Sequence, residues 1–129
     1  MSGFILLKDL EVYQLAMRLS ALGWEIYIKM TWQDKKTMGD QFIESLDSVG
    51  ANIAEGYLRF HYLDKIKFYY ISRASLSESC DHWLELMYKR NKVDKVKYNK
   101  IKETQNKLSI KLQNFIKTTY NSKNNNKFL

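Results

Sequence analysis

Apolar residues recur every three or four positions along much of the chain, which is the spacing of one face of an α-helix. Near the middle of the sequence, Leu46, Val49, Ile53 and Tyr57 are separated by three, four and four residues. The chain has no proline and only five glycines, so few residues would interrupt a helix. The pattern predicts an all-α protein.

We predict four helices joined by short connections. Their expected limits are Asp9 to Met30, Met38 to Tyr57, Tyr62 to Arg90 and Lys95 to Tyr120. Asp9 and Asp94 are the expected N-caps, and Trp32 should pack beneath the first connection. Short connections make consecutive helices antiparallel, so residues 1–120 should form one domain, an up-down-up-down antiparallel four-helix bundle. Residues 121–129 are polar and low in complexity, and are predicted to be a disordered basic tail.

Polar residues lie close to the apolar faces of the second and third helices. Asn52 and Glu55 interrupt a stretch of apolar and small residues in the second helix. Arg73 is the charged member of the expected core series Ile66, Tyr69, Arg73, Leu76, Cys80, Trp83 and Met87. Since a buried polar group without a partner costs roughly 1 to 3 kcal/mol, Arg73 should pair with Glu55 or with Glu78. We therefore predict a structural polar cluster formed by Asn52, Glu55, Arg73 and Glu78.

The first helix is apolar around most of its circumference. Its polar residues form a narrow stripe, which consists of Glu11, Gln14, Arg18, Glu25 and Lys29. Either the neighbouring helices cover the remaining apolar surface, or a second copy of the chain does. We predict a homo-oligomer, with an interface that includes Tyr13, Trp24, Tyr27 and Ile28.

Positive charge is concentrated in the last third of the chain. The whole chain has a formal net charge of +7, whereas residues 89–129 hold twelve basic and two acidic residues, a net of +10. At about 100° per residue, Lys97, Lys100, Lys107 and Lys111 share one flank of the fourth helix, and Lys95, Lys102 and Lys117 share the other. The candidate nucleic-acid-binding residues are Lys89, Arg90, Lys92, Lys95, Lys97, Lys100, Lys102, Lys107 and Lys111.

Two other interpretations of this charge stay open. A solvated basic face could serve solubility alone, and a structural adaptor could use the same face to bind an acidic protein without touching nucleic acid. The aromatic residues near the lysines, Tyr98 and Tyr120, are too few to argue for stacking on single strands.

The sequence has no combination of residues typical of a catalytic or metal site. Helix bundles that bind iron use Glu-x-x-His pairs, and none occurs here. Glu78 and His82 share a helix face but supply too few ligands, and the serines of the third helix have no suitably spaced base. Arg59 and His61 are the one close pair that a helical ribonuclease could use, and a helix junction explains them better. We predict no enzyme, no metal and no cofactor.

The compartment follows from the cysteine content and from the N-terminal segment. Cys80 is the one cysteine, so the chain forms no internal disulfide, as suits a reducing cytoplasm. The apolar run Phe4 to Leu7 is far shorter than a signal peptide core or a membrane span. We expect a cytoplasmic protein with no membrane partner.

Three segments resemble a known family. KDLEVYQLAM at Lys8 to Met17, ANIAEGY ending at Tyr57 and SRASLSES at Ser72 to Ser79 are similar to the four-helix-bundle proteins encoded in 23S rRNA intervening sequences. The resemblance covers about Phe4 to Tyr120. This chain has Gly50 where the family usually has proline, and His61 and Tyr62 where it tends to have Ser-Pro.

The resemblance carries expectations of its own. It implies a four-helix bundle and a ring-like homo-oligomer, a pentamer. It also implies kinship with the accessory protein of diversity-generating retroelements, which works beside a reverse transcriptase and its RNA. A reverse transcriptase is therefore a further expected partner, besides nucleic acid and a second copy of the chain.

Overall fold

The computed structural model describes residues 5–122, and this part of the chain consists of helices and short connections without any β-strand. Helix α1 spans Glu11–Tyr27 and follows a 3-10 turn at Leu7–Asp9. Helix α2, residues 32–57, comprises Trp32–Asp34, a π-helical turn at Lys35–Gly39 and Asp40–Tyr57. Helix α3, residues 62–89, comprises Tyr62–Ser77, a π-helical turn at Glu78–Trp83 and Leu84–Lys89. Helix α4 spans Lys95–Asn121. Residues 123–129 of the predicted tail lie outside the described residues.

The four helices form an antiparallel bundle in which each helix packs against the next, and α4 packs against α1. The contacts run in opposite directions along neighbouring helices. For example, Glu85 near the end of α3 accepts a hydrogen bond from Tyr98 near the start of α4, while Arg73 earlier in α3 reaches Gln113. The predicted all-α, up-down-up-down bundle is confirmed.

The helix starts differ in how well local sequence specifies them. The Asp94 carboxylate accepts a hydrogen bond from the backbone N–H of Lys97 at 2.8 Å, so Asp94 caps α4 as predicted. The prediction that Asp9 caps the first helix is wrong. Asp9 lies in the preceding 3-10 turn, and Leu10 takes the N-cap position without a side-chain hydrogen bond.

The predicted first connection, between Met30 and Met38, is itself helical from Trp32 onward. The Thr31 hydroxyl oxygen accepts a hydrogen bond from the backbone N–H of Asp34 at 3.1 Å, and this cap starts α2 several residues earlier than expected. Trp32 is consequently the first helical residue and is 75% exposed, so the expectation that it packs beneath a loop is wrong. Gly39 is buried where α2 passes close to the side chains of Tyr27 and Met30.

The core series of α3 is correct at most positions and wrong at two. Ser72 is buried in place of Arg73, and its hydroxyl donates a hydrogen bond to the Val49 carbonyl of α2 at 2.8 Å. Leu84 is fully buried in place of Trp83. The π-helical turn explains the second difference, because its wider turn delays the return to the core by one residue.

The second helix's half of the predicted polar cluster does not form. Asn52 donates hydrogen bonds to the carbonyl and hydroxyl oxygens of Ser48, both at 2.8 Å, one turn earlier on α2. Glu55 is exposed and pairs with Arg59 at 3.4 Å. The neighbouring Gly56 is the residue that enters the α2/α3 contact, and this turns Glu55 outward.

The third helix's half of the cluster is also wrong. Arg73 is exposed and donates a hydrogen bond to Gln113 of α4 at 2.5 Å. Glu78 is exposed and accepts a hydrogen bond from the Trp83 indole at 3.1 Å. Because Ser72 takes the core position, each charged group keeps contact with solvent and avoids the desolvation that a buried pair would require.

Candidate nucleic-acid interface

A groove runs between α1 and α4 for most of the length of α1. Three cavities lie along it, with volumes of about 250, 140 and 450 Å³. Its basic lining residues are Arg18, Lys95, Lys97, Lys100, Lys107 and Lys111. Its acidic lining residues are Glu11, Glu25, Asp94 and Glu103. We call this surface the α1/α4 groove, and its charge is a modest positive excess.

Three cations gather at the centre of the α1/α4 groove. Arg18, Lys100 and Lys107 line the same cavity, with Glu103 as its one acidic residue. Lys100 and Lys107 lie two helical turns apart on α4, a rise of about 10 Å. Within residues 5–122, none of the three cations makes an ion pair, and all three are exposed to solvent.

The ends of the α1/α4 groove are more nearly neutral. Lys111 pairs with Glu11 at 3.3 Å, and both side chains are substantially exposed. An exposed pair of this kind contributes only about 0 to 1 kcal/mol, so a phosphate could replace the carboxylate at small cost. At the other end, Lys95 and Lys97 face a cavity that Glu25 also lines.

Arg18 is a groove residue that the sequence prediction missed. It belongs to the polar stripe of the first helix, where Glu11, Arg18 and Glu25 recur every seven residues. This stripe lies against the lysines of α4. The seven-residue spacing indicates that Arg18 shares a helix face with Glu11 and Glu25, but it does not indicate which neighbouring helix that face contacts.

Lys102 is not available for binding, which corrects its place among the predicted contact residues. Its ammonium group donates hydrogen bonds to the Cys80 carbonyl at 3.1 Å and to Asp81 at 3.2 Å, and it pairs with Glu85 at 3.1 Å. Partial burial opposes the charge, but the hydrogen bonds to Glu85 and Asp81 raise the pKa of Lys102 above its usual value. Lys102 therefore fastens α4 to the π-helical turn of α3.

The second predicted flank of α4 does not form one surface. Lys95 lines the α1/α4 groove, Lys102 is held at the α3/α4 contact, and Lys117 lines a separate cavity between α3 and α4. The first flank does lie together, because Lys97, Lys100, Lys107 and Lys111 all line the α1/α4 groove.

The remaining predicted cations lie where α3 ends. Asn91 adopts a left-handed conformation with φ of 59°, and the backbone N–H of Lys92 closes the helix end on the Met87 carbonyl at 2.9 Å. The Lys92 side chain pairs with Asp34 at 3.1 Å. Lys89 and Arg90 are exposed there, at the same end of the bundle as Lys95.

The residues considered for catalysis have structural contacts. The His61 ring nitrogen Nδ1 accepts a hydrogen bond from the backbone N–H of Leu63 at 3.2 Å, so His61 caps α3. Arg59 pairs with Glu55, and His82 packs edge-on against Trp83. In the part of the chain that the structure describes, no group of three or more His, Cys, Asp or Glu side chains could hold a metal ion.

The predicted interface residues lie on the side of α1 that faces α2. Tyr13 lines a cavity of about 390 Å³ with Met17 and small residues of α2, which are Gly50, Ala51 and Ala54. Trp24 and Ile28 are each about half exposed, at 52% and 49%. Tyr27 is half-buried and donates a hydrogen bond to Asp40 at 2.6 Å. We call this surface, from Tyr13 to Ile28 on α1 with the small residues of α2, the α1/α2 apolar face.

The fold and its surfaces define a small antiparallel four-helix bundle with a cationic groove along one pair of helices. The chain belongs to the 23S rRNA-intervening sequence protein family, whose family model matches residues 8–114. It is similar in structure to a protein of unknown function from the S23 ribosomal protein family of Bacteroides thetaiotaomicron. That likeness has a TM-score of 0.75 and 23% identity, and covers 82% of this chain and 98% of the other.

A search among curated proteins found no match. Among residues 5–122, no helix combines the length and apolar character that a membrane span requires.

Proposed function

We propose that this protein is a non-enzymatic, oligomeric nucleic-acid-binding protein, and that the α1/α4 groove is its contact surface for RNA or DNA. The observation that carries the proposal is the group of Arg18, Lys100 and Lys107, three cations on two helices that face one cavity without ion pairs among the described residues. Cations in such an arrangement are suited to phosphate groups, which dominate the affinity of proteins for nucleic acids.

The chemistry of the groove favours backbone recognition over base recognition. Lysine contacts phosphate as a flexible point charge and carries little sequence information. The groove follows two rigid helices, so its cations form a fixed line rather than a mobile arm. We therefore expect binding to a structured backbone that depends steeply on salt and weakly on sequence.

Oligomerisation supplies the affinity that one groove lacks. The four acidic residues of the α1/α4 groove offset much of the charge of its six basic residues, so the groove of one subunit can neutralise few phosphates. The α1/α2 apolar face lies on another side of α1, so a second copy that covers it would leave the groove open. Several grooves in one assembly would then bind one nucleic acid by avidity. The pentamer and the reverse transcriptase partner that the family resemblance implies stay predictions.

The test is affinity for RNA and for DNA across a salt series. One variant carries Arg18→Gln, Lys100→Gln and Lys107→Gln. The matched control removes three positive charges from exposed positions that do not line the groove, through Lys36→Gln, Arg59→Gln and Lys67→Gln. We expect the groove variant to bind more weakly than the parent. Its slope of log affinity against log salt concentration should be flatter by roughly 0.7 to 0.9 for each phosphate that it no longer neutralises. The control should resemble the parent.

Three results would change the proposal. If the parent fails to bind either nucleic acid at low salt, the nucleic-acid function is wrong and the adaptor for an acidic protein takes its place. If the groove variant binds as well as the parent, the contact surface moves to Lys89 and Arg90 at the end of α3. A monomeric mass by light scattering at micromolar concentration would remove the avidity argument.

A further inference from the structure

A second candidate site lies between α3 and α4, on the opposite side of α4 from the α1/α4 groove. A cavity of about 420 Å³ is lined there by Tyr70, Gln113, Ile116, Lys117 and Tyr120. This volume is within the range of small-molecule sites, about 300 to 1,000 Å³. We call it the α3/α4 pocket.

The α3/α4 pocket presents two partly exposed aromatic rings. Tyr70 is 47% exposed and Tyr120 is 49% exposed, while Ile116 beneath them is buried. The Tyr120 ring packs edge-on against Tyr62 with centroids 6.4 Å apart, which supports it from α3. Two tyrosines from different helices thus offer aromatic surface around one opening, and a planar ring can stack on such a surface.

Polar groups hold the rim of the α3/α4 pocket in place. The Arg73 guanidinium lies over the Tyr70 ring, 4.7 Å from its centroid, and donates a hydrogen bond to the Gln113 carbonyl oxygen at 2.5 Å. Because that oxygen accepts from Arg73, the Gln113 amide nitrogen keeps its donors for another partner. Arg73 therefore borders a surface cavity, instead of fixing the helix register from within the core.

The charge around the α3/α4 pocket is positive without compensation. Lys117 lines it, Arg73 borders it, and none of its lining residues is acidic. Each of the three cavities of the α1/α4 groove, in contrast, has at least one acidic lining residue. A ligand of this pocket should therefore combine a planar ring with negative charge.

We infer that the α3/α4 pocket binds an unpaired nucleotide of a single-stranded segment. The base would stack on the tyrosines, with Gln113 as donor to a base acceptor, and the phosphate would lie near Lys117 and Arg73. The inference rests on the proposed nucleic-acid function and sharpens it. With a backbone groove on one side of α4 and a base pocket on the other, the preferred ligand is a duplex with an adjoining unpaired segment.

The test compares a blunt RNA duplex with a single-stranded RNA that contains the fluorescent base 2-aminopurine. The pocket variant carries Tyr70→Leu and Tyr120→Leu, which keep apolar bulk but remove the stacking rings. The matched control is Trp32→Leu, because Trp32 is an exposed ring with a nearby cation, Lys36 at 5.3 Å, but lines neither the α1/α4 groove nor the α3/α4 pocket. Circular dichroism checks that each variant folds.

We expect the parent to quench 2-aminopurine, since stacking on an aromatic side chain quenches this base. The pocket variant should lose that quenching and bind the single strand about fivefold or more weakly per stacking tyrosine, with duplex affinity unchanged. The control should match the parent on both probes. A pocket variant that binds and quenches like the parent would overturn the inference and leave the groove proposal intact.

The two proposals fail in different ways. If the single strand binds through the tyrosines while the duplex does not bind, the groove proposal is wrong and the pocket stands. If the duplex binds and the single strand does not, the pocket is wrong and the groove stands. If neither probe binds the parent at low salt, both are wrong.

Discussion

Replacing Gly56 with alanine would add a methyl group where α2 packs closely against α3. A Cβ atom there would lie 2.7 Å from Cε1 of Tyr69, 2.9 Å from Cβ of Phe68 and 3.0 Å from the carbonyl oxygen of Lys65. Tyr69 is 1% exposed, and the other two atoms belong to or adjoin the backbone of α3. The clash is therefore relieved only by moving the helix.

The size of the effect follows from two opposed contributions. Overpacking a filled core costs typically about 1 to 3 kcal/mol, and the rigid neighbours of Gly56 place this case at the upper end. Alanine returns up to about 1 kcal/mol of helix propensity. We expect a net loss of about 1 to 2 kcal/mol in the free energy of unfolding, which lowers Tm by roughly 4 to 8 °C for a domain of this size.

Gly50 is the matched control on the same helix. A Cβ atom there would meet Cβ of Ala16 at 3.5 Å, which is ordinary van der Waals contact. Gly50→Ala should therefore gain about 0.5 to 1 kcal/mol from helix propensity, and its Tm should rise. Thermal unfolding followed by circular dichroism measures the stability of both variants. It is recorded at several protein concentrations, because Gly50 lies on the α1/α2 apolar face and its replacement could also change self-association. A Gly56→Ala protein as stable as the parent would refute the close packing of α2 against α3.

Three further predictions concern ionic groups. Glu55→Ala should change the free energy of unfolding by less than about 0.5 kcal/mol, since Glu55 and Arg59 are both about half exposed, and a loss of several kcal/mol in urea denaturation would restore the buried cluster. Lys102→Met should destabilise by about 1 to 2 kcal/mol at pH 7, because it leaves Asp81 and Glu85 without their shared cation. Burial opposes ionisation of both carboxyls, but their hydrogen bonds hold each pKa below its usual value, so this stabilisation is full above the unfolded-state pKa near 4. The stability difference between parent and Lys102→Met should shrink as pH falls from about 5 to 2, and a constant difference would contradict the shared-cation network.

The periodicity of the sequence was sufficient to predict the bundle but not the outward-facing charges. Helix faces repeat in steps of three and four, so a core series can choose Ser72 or Arg73, and Leu84 or Trp83, with equal regularity. The choice depends on how the helix is rotated against its neighbours, which is a property of the packed bundle. The prediction of a buried Arg73 failed for this reason, since a serine could fill the same position without desolvating a charge.

The candidate sites could be predicted only in part from the sequence, because they too depend on how the helices pack. The lysine flank of α4 could be read from helical spacing, and four of its members do line the α1/α4 groove. Arg18 and Tyr70 were missed because each lies in a different helix from the lysines it faces. Lys102 was misassigned because its partners, Asp81 and Glu85, lie about twenty residues earlier and meet it only after α3 and α4 pack.

The π-helical turn at Glu78–Trp83 fits one more residue into α3 than a regular α-helix of the same length would hold. Within this turn, the carbonyl oxygen of Cys80 and the carboxylate of Asp81 accept hydrogen bonds from Lys102 of α4. The Asp81 carboxylate accepts a further hydrogen bond from Gln105 of α4. A π-helical turn holds more residues than an α-helical turn, so the residues after it are rotated about the helix axis compared with a regular α-helix. An alignment of this chain with a relative that has a regular third helix therefore needs a one-residue gap here, or every residue from Leu84 to Lys89 is compared with the wrong face.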